Sequence, residues 1–322
     1  MRELVVTNNE EKQRIDRFLG KYMKNAPKSF IAKNIRKKNI KVNGNKVEPS
    51  YMLQAGDVIK MFLAEETIRK FSLDSTNGKE SFKENILKSK NILFEDENIL
   101  AVYKLPGILT HGDDLSVVEI AVNYMKKQGS YDPEKELTFR PSCCNRLDKN
   151  TSGIVIVAKN NNTLIKINQL IRERNIKKYY IALIKGVIEE EIHLGGYIEK
   201  DKSKNISKIT TYKTEHSKAV ETHMKPLKCN GYYTLMEIDL ITGRSHQIRA
   251  HLKSIGKPII GDSKYGDEVE NKLYYKKYGL KSQLLHNRSI SIKDYYGAGK
   301  DLAIIAPLPE LFDKIIKDQF KE

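Results

Sequence analysis

The sequence predicts an α+β fold: a central mixed, largely antiparallel β-sheet flanked by helices, behind a small basic module. Three observations lead there. From Ile92 onward the apolar residues fall in short runs of strand length. Helical periodicity occurs only in scattered stretches between those runs, without the regular strand–helix alternation of a parallel sheet. Residues 1–63 form a helix-rich, strongly basic segment, and a polar stretch follows them.

Within residues 1–63, Arg14-Ile15-Asp16-Arg17-Phe18-Leu19 begins a short helix with Ile15, Phe18, Leu19 and Tyr22 on one face. A second helix follows Pro27, with Ser29 expected as its N-cap and Phe30, Ile31 and Ile35 as its apolar stripe. Its other face carries Lys33, Arg36 and Lys37. The segment Ile40 to Val47 places Asn43-Gly44 between two strand-like halves, which predicts a hairpin. Gly56-Asp57 then turns the chain into a last strand, Val58–Phe62. Fourteen Lys and Arg stand here against six Asp and Glu, half of the chain's net excess.

Residues 64–88 are polar, with Ser, Thr, Asn and Gly at their centre, and are expected to be a linker. Residues 89–322 are expected to be the main domain. Its strands are Ile92–Phe94, Ile99–Tyr103, Ile154–Ala158, Tyr180–Ile184, Leu235–Leu240 and Leu302–Ile305. Its helices are Val117–Lys127, Thr163–Arg174, Ser245–Ile255 and Glu310–Phe320.

The chain has 322 residues, enough for one large domain and a small one. It holds no run of 18 apolar residues, and its first residues lack the apolar core of a signal peptide. Cys143, Cys144 and Cys229 form no CxxC pair, so a disulfide framework and a zinc ribbon do not fit. A cytoplasmic location away from membranes is the expectation. The formal net charge of +16 asks for a polyanionic partner, and nucleic acid comes first. A membrane surface fits less well, because no basic amphipathic helix with aromatic anchors is present and the chain has no Trp.

Chemistry concentrates in two places. In Ile238–Tyr265 a strand ends at Thr242-Gly243-Arg244, Ser245 is expected to cap a helix, and Gly256 closes it ahead of Pro258. Ile248, Leu252 and Ile255 make the expected buried stripe; His246, Arg249 and Lys253 point together on another face. Arg244, just before the helix, suits an anion or a carboxylate. His246 and His251 are five apart, not the four that a helical zinc pair needs, and no metal is expected. The second place is Cys144–Lys159, CNRLDKNTSGIVIVAK, which delivers Asp148 beside Arg146 at the mouth of a buried strand. Ser152 lacks the surroundings of a nucleophilic elbow, so Thr151 and Ser152 are expected to shape the turn through bonds to backbone. No glycine-rich phosphate cradle occurs. Taken alone, Asp148 reads as a structural residue bonded to Arg146.

Three segments taken together change that reading. They are Arg140-Pro141-x-x-x-Asn145-Arg146-Leu147-Asp148-x-x-Thr151-Ser152-Gly153, then Lys178-x-Tyr180-x-Ala182-x-Ile184-x-Gly186. The third is Thr242-Gly243-Arg244-x-His246-Gln247-Ile248-Arg249-x-His251, running on to Gly261-Asp262-x-x-Tyr265-Gly266. In this order they closely resemble the RluA-type family of RNA pseudouridine synthases. Ile92–Gly107 and Gln283-Leu284-Leu285-His286 also look like that family. Asn145 stands where the family often has His; both can donate a hydrogen bond. Asn287 follows His286 where a small residue is usual. Arg14, Asp16, the basic helix Ser29–Lys38, Val42-Asn43-Gly44 and Gly56-Asp57 resemble the alpha-L RNA-binding module of the S-four type.

The resemblance implies a pseudouridine synthase fold over residues 89–322 and an RNA-binding module over residues 1–63. It implies isomerisation of uridine to pseudouridine without metal or cofactor. Asp148 becomes the catalytic carboxylate, which attacks the sugar or abstracts a sugar proton to give a glycal; both routes stand open. Tyr180 stacks on the uracil and helps remove the proton from carbon 5. Arg244 pairs with Asp148. Arg146 holds the displaced nucleotide or its phosphate, or else forms an internal salt bridge. Leu285 lines the pocket, and His246, Arg249, Lys33, Arg36 and Lys37 complete the expected RNA contacts. The expected partner is large-subunit ribosomal RNA, bound by a monomer. Rival readings are a transfer-RNA enzyme, a non-catalytic RNA-binding or ribosome-assembly factor on the same scaffold, and, more distantly, a metal-dependent hydrolase.

Overall fold

The computed structural model describes residues 1–72, 91–112, 115–201 and 203–321. These divide into two compact units. The first takes residues 1–72 together with 122–142 and 158–166; the second takes 91–121, 143–157 and 167–321. The first unit thus recruits two segments that the sequence reading placed in the main domain.

The first unit opens with β1 (Arg2–Val5), α1 (Ile15–Tyr22), α2 (Lys28–Arg36), β2 (Ile40–Val42), β3 (Val58–Met61) and α3 (Glu65–Ser72). The strands make an antiparallel sheet in the order β1-β3-β2. The apolar faces of α1 and α2 close over it: Ile15, Phe18, Leu19, Ile31 and Ile35 join Ile40, Val42, Ile59 and Met61 in one core, with Leu137 packed at its side.

Local chemistry explains where this unit departs from expectation. Pro27, not Ser29, occupies the N-cap of α2, and Ser29 lies inside the helix. The φ of Pro27, −57°, is one a helix also adopts; its extended ψ of 142° sets the boundary, and no side-chain cap is used. Asn43 and Gly44, both at positive φ, form the expected tight turn, closed by Val42 and Asn45. The second arm is not a strand. Asn43 instead bonds Asp57 and the backbone N–H of Val58, so β2 pairs with β3. The expected linker begins as helix α3, whose Ile68 is buried in the core and whose Glu65 pairs with Arg2. Residues 73–88 of that linker lie outside the described residues.

The chain continues through β4 (Ile92–Glu95), β5 (Ile99–Lys104), α4 (Val117–Lys127), β6 (Ser142–Cys143), β7 (Ser152–Ala158), α5 (Asn161–Arg172) and β8 (Ile176–Lys185). It goes on with β9 (Ile192–Asp201), β10 (Ile206–Thr210), β11 (Lys218–Cys229), β12 (Tyr233–Asp239), α6 (Gln247–Ser254) and α7 (Glu268–Tyr278). Last come β13 (Leu285–Ile292), β14 (Leu302–Ile305) and α8 (Glu310–Phe320). One mixed sheet runs β10-β9-β11-β12-β8-β13-β7-β5-β4, with β14 on β13 and β6 on β7. The pair β13–β7 is parallel, while β9, β11, β12, β8 and β13 follow one another antiparallel. This is the α+β arrangement expected.

The sheet's alternation sorts its residues into two tasks. On β8, Ile181 and Leu183 point toward Phe312, Ile315 and Ile316 of α8 and form a core with Leu235. Lys178, Tyr180 and Ala182 therefore point to the other face. On β7 all seven residues are buried, and Ile154 and Ile156 pack with Ile290 and Ile292 of β13. A strand buried on both sides is a rigid base for the loop ahead of it. Among the described residues no helix is long and apolar enough to cross a membrane.

Candidate active site

Four segments of the second unit line one cavity of about 610 Å³: the loop ahead of β7, the end of α5 with its following turn, the start of β8, and the turn leading into α6. Leu285, buried at the start of β13, completes the wall.

The loop is fixed from several directions. Asn145 donates from Nδ2 to the Ile154 carbonyl at 3.0 Å and accepts from the Ile156 N–H at 2.9 Å. It thereby ties the loop to β7. Leu147 is buried, and its backbone N–H and carbonyl both meet the Thr110 hydroxyl. The Thr151 N–H donates to the Asp148 carbonyl at 3.0 Å, closing a turn. Thr151 and Ser152, expected to bond backbone with their side chains, instead reach across the sheet to Gln283 and to Nδ1 of His286. Buried Lys104 donates to the carbonyls of Leu105, Ile108 and Lys149. Burial pushes its ammonium down to about 7, against the pull of Asp148. Three acceptors around three donors favour the charged form.

On this frame Asp148 stays about a quarter exposed, with its carboxylate in the cavity. Its partner is Arg249, not Arg244. Arg249 donates from Nη1 to Oδ2 of Asp148 at 2.8 Å. Its Nε and Nη2 hold both carboxylate oxygens of Asp262 at 2.7 and 2.8 Å, and its guanidinium lies 4.9 Å from the Tyr265 ring centre. Burial opposes the Arg249 charge, but the bonds and charges of Asp262 and Asp148 outweigh it and raise the guanidinium above its ordinary value. Burial likewise works against the Asp262 carboxylate, and Arg249 holds it below the usual range. Such charge-assisted, two-pronged pairs fix orientation well.

The turn ahead of α6 departs from expectation as well. Ser245 is not the N-cap; His246 is, at φ 58°. Its Nδ1 shares a hydrogen bond with the Tyr265 hydroxyl at 2.9 Å, and its Nε2 lies 3.9 Å from Asp148. Gln247, buried, ties the turn ahead of the helix to the sheet through its side-chain amide. Its carbonyl oxygen accepts from the Arg244 N–H and the Thr242 hydroxyl, while its amide reaches Glu221 and Thr222 on β11. Arg249 lies in the buried first turns of the helix, where Asp262 holds it, and Arg244, ahead of the helix, is exposed on the cavity rim. Ile255 is also exposed, so the buried stripe ends at Leu252, and Lys253 faces away from the cavity.

Tyr180 lines the cavity from β8 and is buried. Burial, with the Asp148 charge nearby, pushes its phenol well up despite the adjacent Asn287 side chain. Burial pushes the His246 imidazole down, against the pull of Asp148. Arg146 is exposed on the cavity wall and forms no ion pair with Asp148 among the described residues. Lys33, Arg36 and Lys37 stand exposed on α2 of the first unit.

The sequence reading assigned no role to Gln247, Asp262, Tyr265, Lys178, Arg172 or Arg174. Asp262 and Tyr265 lay in a quoted motif, and their fixed spacing was the available signal. Arg172, Arg174 and Lys178 line the cavity as ordinary basic residues of α5, its following turn and β8. Among the described residues no group of three His, Cys, Asp or Glu is placed to hold a metal ion.

Comparison with known proteins gives consistent matches. A family model described as RNA pseudouridylate synthase matches residues 98–254, and one described as S4 domain matches residues 13–59. The chain is 34% identical to ribosomal large subunit pseudouridine synthase C of Buchnera aphidicola subsp. Schizaphis graminum (strain Sg), over 93% of this chain and 91% of that protein. It is 29% identical to the protein of the same name from Escherichia coli (strain K12), over 95% of this chain and 93% of that one. Among solved structures, human RNA Pseudouridylate Synthase Domain Containing 4 shares the fold. The TM-score is 0.59 at 23% identity, over 72% of this chain and 93% of that one.

Proposed function

This chain belongs to the RNA pseudouridylate synthase family, and we propose that it converts a uridine of large-subunit ribosomal RNA to pseudouridine, in the cytoplasm and as a monomer. The reaction is an isomerisation. The bond from uracil N1 to the ribose C1′ breaks, a bond from C5 to C1′ forms, and C5 loses a proton while N1 gains one. The single observation that carries the reading is Asp148, among the described residues the one carboxylate lining a cavity otherwise rich in cations, held by a buried arginine.

Asp148 is the catalytic residue in this proposal and faces the ribose of the bound uridine. It acts as nucleophile or as base toward the sugar. Arg249 orients it, and Asp262 orients Arg249. Tyr180 and Leu285 pack the uracil. The raised phenol keeps Tyr180 protonated at neutral pH, so it packs the uracil as a neutral phenol and the C5 proton leaves to solvent rather than to a free phenolate. The target must leave its stack to enter, at roughly a few kcal/mol. Phosphate contacts from Arg146, Arg244 and the exposed face of α2 offset that cost. The large-subunit substrate is supported by the names of the relatives matched over nearly their whole length.

The test is tritium release from ribosomal RNA transcripts labelled at uracil C5. The wild type is expected to release it, and Asp148→Asn to release essentially none while still binding RNA. Full activity in Asp148→Asn sinks the assignment.

A further inference from the structure

Lys178 stands on β8 two residues before Tyr180, on the same face of the strand, and lines the same cavity. Its ammonium lies beside Gly243, where an added Cβ would sit 3.5 Å from Nζ. No carboxylate among the described residues lies within ion-pair distance of it. Asp239 pulls on its charge from further away, and burial lowers its ammonium below the ordinary lysine value. Holding a partly desolvated cation without a partner is costly, and such a group awaits an anion.

The surroundings say which anion. Arg172, Arg174 and Arg244 share the wall with Lys178, and Asp148, the one carboxylate of the cavity among the described residues, already has Arg249. Of these cations Arg174 is partly engaged, 3.6 Å from Glu221. Same-face neighbours on a strand are roughly 7 Å apart. That is about the distance between a nucleotide's base and its flanking phosphate. If Tyr180 packs the uracil, Lys178 falls one backbone step away. Gly243 contributes by adding no side chain over the ammonium.

We propose that Lys178, approached over Gly243, binds a backbone phosphate next to the target uridine. This rests on the reading of the cavity as a uridine site. Lys178 is then a binding residue, distinct from the Asp148–Arg249 pair. A phosphate contact predicts a loss in the salt dependence of binding, whereas a contact to the uracil predicts a loss in the chemical step.

The experiment uses the full chain and the tritiated ribosomal RNA transcripts. kcat/KM is measured between 50 and 200 mM KCl for the wild type, Lys178→Gln, Lys178→Arg and Gly243→Val, with thermal unfolding alongside. The expected result is that Lys178→Gln lowers the slope of log kcat/KM against log salt by about 0.7. Its kcat at saturating RNA should stay within about two-fold, and its Tm should be unchanged or higher. Lys178→Arg should keep the slope, and Gly243→Val should lower it. An unchanged slope with a reduced kcat would overturn the proposal in favour of a base contact. An unchanged slope with a reduced Tm would overturn it in favour of packing. Absence of tritium release from the wild type itself would sink the uridine reading instead.

Discussion

Arg249 and Asp262 form a buried two-pronged pair, and the guanidinium edge left over reaches Asp148 at 2.8 Å. The Asp262 side chain is wholly inaccessible and that of Arg249 nearly so. The geometry at Asp148 is therefore set from the core outward. Arg244 shares the cavity but has no part in this chain of contacts.

The two arginines should separate in kinetics and in stability. Arg249→Ala strands a buried carboxylate, which costs roughly 3–5 kcal/mol. Arg249→Lys keeps a charge but cannot serve both Asp262 and Asp148, so kcat should fall at least about ten-fold with RNA affinity retained. Arg244→Ala should raise KM and leave kcat within a few-fold. Urea unfolding and steady-state tritium release check both. An Arg244→Ala variant with normal KM and abolished kcat would contradict the assignment.

Acid should destabilise the second unit in a definite window. His251 and His286 are buried, and burial pushes each imidazole down to about 4. Above pH 6.5 both are neutral whether folded or unfolded, and their contribution is fully present. As pH falls from 6.5 to about 4, the unfolded chain takes up protons that the folded chain refuses, so stability is lost. The loss is worth up to roughly 3 kcal/mol per histidine. Urea midpoints measured at pH 7.5, 6 and 5 should fall in that order. The double variant His251→Gln/His286→Gln should flatten the trend.

Gly153 should tolerate no side chain. Its φ is 122°, and an added Cβ would collide with the backbone oxygen and Cβ of Asn287 on β13. Gly153 lies opposite Asn287 in the parallel β13–β7 pair, five residues after Asp148. Gly153→Ala should therefore cost roughly 2 kcal/mol or more through strain and displaced pairing. Activity should be lost with it, since the loop bearing Asp148 is built on β7. Wild-type Tm and activity in this variant would show that β13 can yield there.

Much of this was legible in the sequence where the signal is local. The apolar faces of α1 and α2, the uninterrupted run of β7, and the ends of α4 and α8 follow from periodicity alone. Strands β9 to β11 were not, because they lie at one end of the sheet and alternate apolar residues with Lys, Thr, Glu and His. The cap at Asp267 and the left-handed Gly279 that bound α7 are ordinary signals that went unread. The segments 122–142 and 158–166 join the first unit through contacts such as Asn9 with Glu136, which no local pattern announces. At the site, the motifs point to Asp148 and Tyr180, which line one cavity, and the arginine bonded to Asp148 is Arg249 rather than the expected Arg244. Both arginines stand in one motif, and Arg244 precedes α6 while Arg249 lies inside it on either reading, so the pattern alone does not say which reaches Asp148; the two-pronged contact with Asp262 holds Arg249 there.

The exposed face of α2 offers a test of RNA anchoring that leaves the core intact. Cutting the chain at residue 63 would cut through a unit in which Asn9 bonds Glu136 and the Asn161 N–H, and Leu137 packs on the α1–α2 core. Lys33, Arg36 and Lys37 can be changed without touching the buried Ile31, Asn34 and Ile35. If all three meet phosphate, the triple Gln variant should lower the slope of log kcat/KM against log salt by about 2. Weaker RNA binding should appear at low salt, with kcat at saturating RNA and the Tm close to wild type. A slope equal to that of the wild type would show that α2 does not touch the RNA backbone.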